Sequence, residues 1–222
     1  MSNQNTKGKF IVIEGGDGAG KSTLIKRIRE LYPDSALVCT REPGGSPFAE
    51  EIRRLSLESP ESKGASSKTQ FGLVWAARHD HMTKLIVPAL SAGKHVLCDR
   101  FDSSTYAYQI CGQADPDLRE LFWTIRDIYL GDHKPDLYVF LDIDLHESAR
   151  RTAGRPGENH FDTAPLDFKG RVRAGYPEFF TELGRRTNTP VVTINTNGLA
   201  PDAVAREFVK TIRPFFGEPK GE

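Results

Sequence analysis

The chain has no charge of one sign to spare, since thirty lysines and arginines balance thirty aspartates and glutamates over 222 residues. Nothing global in that balance points to nucleic acid or to a membrane surface, so any positive site must be local. No apolar run approaches the ~20 residues that cross a bilayer. The opening segment Met1–Lys9 is polar and lacks the hydrophobic stretch of a secretory signal. Cysteine is scarce: Cys39, Cys98 and Cys111 are odd in number and form no CxxC pair. Two of them lie in apolar, strand-like runs and read as buried thiols of a reducing compartment, so a cytoplasmic location is the expectation. Internal repeats and long linkers are missing too. The 38% of hydrophobic residues suffices for one sizeable core, and one domain over 1–222 is expected, with flexible tails at 1–8 and 217–222.

Against these absences stands a regular alternation. Phe10–Ile13, Ala36–Cys39, His95–Cys98, Leu137–Leu141 and Val191–Ile194 are short continuous apolar runs, the pattern of strands buried on both faces of a parallel sheet. Between them, Leu24, Ile28 and Leu31 fall at helical spacing, as do Phe48, Ile52 and Leu55. Leu118, Leu121, Phe122 and Ile125 repeat the pattern, and so do Val204, Phe208 and Ile212. Strand–helix alternation of this kind predicts a three-layer α/β fold, a five-stranded parallel sheet flanked by helices. Residues 150–165 break the pattern, being rich in glycine, proline and charge. They read as a mobile lid between two helices.

Chemistry enters at Gly15-Gly16-Asp17-Gly18-Ala19-Gly20-Lys21-Ser22, which fits GxxxxGK[ST] directly after a strand and before a helix, with Thr23 next. Glycines let backbone N–H groups turn inward around phosphate oxygens, and the following helix presents its positive end. Lys21 is placed to reach the β- and γ-phosphates, and the Ser22 hydroxyl to ligate Mg²⁺. The motif signifies nucleotide binding and leaves the reaction open. Two further clusters follow strands, at the edge where α/β sheets take ligands. They are Thr40-Arg41-Glu42-Pro43-Gly44-Gly45 and Asp99-Arg100-Phe101-Asp102-Ser103-Ser104-Thr105-Tyr106-Ala107-Tyr108-Gln109. Two arginines at neighbouring strand ends can clamp one phosphate. Arg78, on a helical stretch, adds a third cation.

GGDGAGKST, TREPGG and DRFDSSTYAYQ, in this order and spacing, resemble the thymidylate kinase family, as do PDLYVFLDID and FKGRVRAGY further on. The resemblance implies a P-loop kinase fold and phosphorylation of dTMP to dTDP with ATP and Mg²⁺. It implies that Gly15, Gly16, Gly18, Ala19, Gly20, Lys21, Ser22 and Thr23 hold the ATP phosphates. Asp17 matches a carboxylate that accepts the 3′-hydroxyl of the acceptor. Arg41 and Arg100 match ligands of its phosphate, Arg53 a supporting cation, and Arg78 the arginine that bonds the thymine carbonyl. Pro43, Val74, Ser104, Thr105 and Gln109 fall at acceptor-lining positions, and Tyr108 matches the ring that crowds C2′ and favours deoxyribose. Asp99 matches an acidic group near Mg²⁺ that acts through water. Family members pair as homodimers, and the same is expected here.

Two departures from the family pattern carry consequences. The phosphate loop holds no cation beyond Lys21, so a lid arginine, Arg155 ahead of Arg151, is the expected catalytic cation beside Lys21 and Arg100. The lid motif Asp-Arg-x-Glu reads Asn159-His160-Phe161-Asp162 here. Four residues before Arg78, where the family carries a phenylalanine that stacks on thymine, stands Val74, with Trp75 beside it and Phe71 one turn earlier. Losing the aromatic face forfeits about 0.5–1.5 kcal/mol of stacking. That leaves open a kinase preferring another pyrimidine deoxynucleotide, such as dUMP. A third reading, a non-catalytic P-loop sensor, predicts binding without ADP formation. Its GTPase form lacks an NKxD-type guanine signature. Six histidines form no ligand-like spacing, and Asp142 and Asp144 fit either a helix cap or the nucleotide's vicinity. The stretch Asn195–Pro201 is the expected adenine side.

Overall fold

A computed structural model describes residues 7–154, 159, 161 and 163–219. Five strands, β1 (Phe10–Gly15), β2 (Leu37–Arg41), β3 (His95–Asp99), β4 (Leu137–Asp142) and β5 (Val191–Asn195), form one sheet in the order β2-β3-β1-β4-β5. All four pairings are parallel. The alternation in β1 explains the layers. Phe10 and Val12 point to one side, where they meet Phe71, Trp75, Phe122 and Phe179. Ile11 and Ile13 point to the other, with Leu24, Ile28, Phe208 and Ile212. Each such fully buried side chain contributes about 1.5–3 kcal/mol, which is why both faces demand a cover of helices.

The first face is covered by α3 (Ser67–His81), α6 (Leu118–Leu130) and α8 (Leu166–Arg186), and the second by α1 (Lys21–Leu31) and α9 (Pro201–Phe216). Shorter helices complete the chain: α2 (Pro47–Arg53), α4 (Val87–Ser91), α5 (Asp102–Thr105) and α7 (Leu145–Thr152). A π-helical segment, Tyr106–Gly112, continues α5, and others follow α2 and α3. Such wide turns gather at functional sites. No helix among the described residues is long and apolar enough to cross a membrane.

One expectation needs correcting. Only β1, β3 and β4 are the covered strands; β2 and β5 lie at the sheet edges, and most of their residues are half-buried or exposed. Continuous apolarity in those two runs reflects one covered face plus the rim of the neighbouring helix, not burial on both sides. Phe48 and Leu55 keep the helical spacing with Ile52, yet only Ile52 is buried. Of the segment expected as a tail, Gly8 donates its N–H to Leu90 O at 2.9 Å, and the Lys7 ammonium reaches Asp132 O at 3.3 Å.

Candidate active site

The sheet order places β1 between β3 and β4, so the carboxyl ends of β1 to β4 open on one edge. The register aligns Arg41 and Ile13 with Asp99, directly below the loops that carry the motifs. Gly15 starts the phosphate loop at φ 149°, and a Cβ there would stand 2.5 Å from Leu141 O. Only glycine fits that turn. Gly20 precedes α1 without a side-chain cap, which leaves the N–H groups of the first turn open to an anion. A cleft of about 1000 Å³ runs over this loop, lined by Gly16 to Thr23, Arg41, Asp99, Arg100, Arg151 and the stretch Gly198–Pro201. Gly15 itself lies beneath it. The Lys21 ammonium bends back to Gly15 O (2.8 Å) and Gly16 O (3.2 Å), acceptors that phosphate oxygens can replace. Burial pushes its pKa down, and Arg100 adds to the effect.

A second cavity, about 100 Å³, adjoins the first. Asp17, Pro43, Arg53, Val74 and Arg78 line it, together with Arg100, Ser104, Thr105, Tyr108 and Gln109. Ten of the eleven acceptor residues read from the sequence thus surround one space, and the eleventh, Arg41, lines the cleft. Asp17, Arg53, Arg100 and Tyr108 border both volumes, so these four stand where the two meet.

Arg100 is the hub of the junction. Its backbone sits at φ 66°, a left-handed conformation that disfavours any side chain. Its guanidinium donates to Asp17 Oδ1 (2.8 Å), Tyr176 Oη (3.0 Å) and Gly15 O (3.1 Å), and lies 5.5 Å from the centre of the Tyr108 ring. Burial pushes the Asp17 carboxyl upward, but Arg100, Lys21 and Lys169 outweigh it and hold the pKa below its usual value. Glu14, to which the sequence reading gave no role, keeps this loop in place. Its fully buried carboxylate accepts from Phe101 N (2.8 Å), Ser103 Oγ (2.7 Å), Ser104 Oγ (2.7 Å) and Ser104 N (3.2 Å). Burial raises its pKa against the pull of Arg100 and these donors. A carboxylate closing an otherwise apolar strand, one residue before the phosphate loop, was the signal for it.

Arg78 is 1% exposed, its guanidinium packed between Trp75 (4.5 Å) and Phe101 (4.9 Å). Nε donates to Glu42 Oε2 (2.7 Å) and Nη2 to Thr105 Oγ1 (3.0 Å), while Nη1 is buried without a hydrogen-bond partner among the described residues. Asp99 Oδ1 is buried and unpartnered in the same sense. Val74 faces the small cavity, whereas Phe71 packs edge-on against Trp75 in the core and lines neither volume. Phe161 and Asn159 border both cavities, and the Phe161 ring meets Tyr108 at 5.2 Å.

Arg151 is drawn onto the phosphate loop, donating to Gly18 O (3.3 Å), Thr196 O (2.6 Å) and Glu147 Oε1 (2.7 Å). Arg155 and His160 lie outside the described residues. Arg41 pairs with Glu50 at 3.1 Å, and Arg53 donates to Pro43 O at 2.9 Å. Asp144 caps α7 through Glu147 N (2.8 Å), while Asp142 binds Arg173 (3.0 Å).

The chain as a whole is similar to known proteins. A family model described as thymidylate kinase matches residues 13–202. A thymidylate kinase of Ruegeria pomeroyi is 41% identical over 182 residues, covering 81% of this chain and 84% of that protein. One of Rhodopseudomonas palustris is 37% identical over 222 residues, covering 98% and 94%. Among solved structures, a thymidylate kinase from Ehrlichia chaffeensis superposes with a TM-score of 0.71 at 28% identity, over 93% of this chain and 99% of that one. With its motifs, its fold and its relatives in agreement over most of its length, the chain belongs to the thymidylate kinase family.

Proposed function

We infer that the protein phosphorylates dTMP to dTDP with ATP as donor. The observation that carries this reading is the junction of the two cavities at Asp17, Arg53, Arg100 and Tyr108, where a donor phosphate and an acceptor phosphate can meet. An oxygen of the acceptor's own phosphate attacks the γ-phosphorus as the bond to the β,γ-bridging oxygen breaks and ADP leaves. Chemistry of this kind needs alignment and charge neutralisation more than a strong base. Lys21 and the loop N–H groups hold the donor. Arg41, Arg53 and Arg100 hold the acceptor phosphate, and Asp17 takes the 3′-hydroxyl.

Arg78 Nη1, buried and unpartnered, fits a pyrimidine carbonyl, with Thr105 and Gln109 along the base edge and Val74 against its face. Tyr108, lining the same cavity, serves as the ring that excludes a 2′-hydroxyl. Gly198 to Pro201 suit the adenine. The Ser22 hydroxyl and the unpartnered Asp99 Oδ1 fit a Mg²⁺ ion held through water and ATP oxygens. Bound there, the ion would neutralise charge on the β- and γ-phosphates. A lid arginine, Arg155 or Arg151, completes the cation set. The chain acts as one domain with a lid at 150–165, in the cytoplasm, as a homodimer.

A panel of dTMP, dUMP, dCMP and UMP with ATP and Mg²⁺ tests the assignment. dTMP is expected to have the highest kcat/KM. Another acceptor in first place would replace it, and nucleotide binding with no ADP formed would make the protein a sensor.

A further inference from the structure

One turn beyond Arg78 on α3, His81 has no exposed surface. Its Nδ1 lies 3.0 Å from Glu42 Oε1, and its Nε2 lies 2.8 Å from Thr40 Oγ1. The Glu42 carboxylate, 2.7 Å from Arg78 Nε, can only accept, so Nδ1 carries the hydrogen. Gly45, at φ 86°, closes over the ring so tightly that a Cβ there would stand 2.2 Å from Nε2 and 2.6 Å from Thr40 Oγ1. One imidazole therefore ties together the end of β2, the loop that follows it and the helix that bears Arg78.

The pattern around Arg78 is unusual in one respect. A carboxylate facing the side of a guanidinium favours two parallel bonds, to Nε and Nη2. Glu42 makes one. Its Oε1 is committed to His81, and Nη2 is left to Thr105. The terminal rotor of a glutamate is soft, so nothing in Glu42 itself enforces this choice. We propose that His81 is a positioning residue for the acceptor base: by holding Glu42 to a single bond, it sets the orientation in which Arg78 presents Nη1 to the pyrimidine. The proposal rests on the reading that Arg78 binds the base.

Two substitutions separate positioning from packing. The amide nitrogen of asparagine can stand in for Nδ1 and keep the bond to Glu42. That of glutamine takes the place of Nε2 and keeps the contact with Thr40, whose hydroxyl turns from donor to acceptor, but releases Glu42. His81→Gln is expected to raise KM for dTMP about tenfold, while kcat and KM for ATP move less than about twofold. His81→Asn is expected to stay within about threefold of the parent KM. Equal losses in both variants, or a loss shared with kcat and KM for ATP, would mean packing only and overturn the proposal. Arg78→Gln is the reference: an unchanged dTMP KM there sinks the base-binding reading itself. A raised KM in Arg78→Gln beside an unaffected His81→Gln sinks only the role of His81. Ring-nitrogen NMR on the parent protein needs no variant to fold. It should show hydrogen on Nδ1 and a shift on adding dTMP but not ATP, and a ring protonated on Nε2 alone would contradict the proposal.

Discussion

Asp102 shows how much of this protein rests on single buried charges. Its carboxylate takes Arg126 Nε and Tyr138 Oη, each at 2.6 Å, and neither Asp102 nor Arg126 is more than 1% exposed. Removing one partner strands the others without water. Asp102→Ala is expected to cost about 3–5 kcal/mol in urea unfolding, and a loss below about 1 kcal/mol would show that the group relaxes or hydrates. Residues of this kind were the hardest to read from sequence. Asp102, Glu14, Glu42 and His81 have no assigned role in the sequence alone. Their partners lie 24 to 90 positions away, beyond any local pattern. Gly15 to Ser22 were legible because their chemistry is contiguous, and Arg41, Arg78 and Arg100 because three motifs fixed their context.

Among elements, α7 bears most directly on catalysis. Ser148 Oγ donates to Asp17 O (2.7 Å), and Arg151 spans to Gly18 O and Thr196 O, so α7 is fastened to the phosphate loop. Glu147 orders the arginines. Hydrogen bonds from Arg150 and then Arg151 hold its carboxyl at about 2. Because that lies below its ordinary 4.5, its contribution is whole above 4.5 and vanishes as pH falls through about 2. Carboxyl NMR should find the low midpoint, and Arg150→Ala should move it upward; a midpoint near 4.5 in the parent would mean the pairing is absent in solution. With its donors turned to Glu147 and two carbonyls, Arg151 suits fastening α7 to the phosphate loop, and Arg155 is the proposed transition-state cation. Arg155→Ala should lower kcat by on the order of 10³ while raising KM for dTMP far less. The opposite split would transfer the role. The apolar runs gave all five strands, but edge and centre look alike in such runs, since partner number is a property of the sheet.

At the scale of the whole molecule, several large apolar side chains stay exposed. Phe48 and Ile128 are 60% and 70% exposed, with Leu55, Leu121 and Tyr129 nearby in sequence, on α2, the turn after it and α6. These elements are linked through α3, which packs against both α2 and α6. A second copy of the chain is the occupant that the proposed homodimer supplies. Sedimentation should report a dimer, and Leu121→Glu should yield a folded monomer; a parent protein that sediments as a monomer ends that reading. Within one copy, Asp17 has a different kind of reach. Its carboxylate grips Arg100 at the end of β3, and its carbonyl grips Ser148 on α7. A ligand that bore on both grips would link the affinities for the two substrates, each changing the other by the same factor. One residue of the phosphate loop would then answer to two occupants.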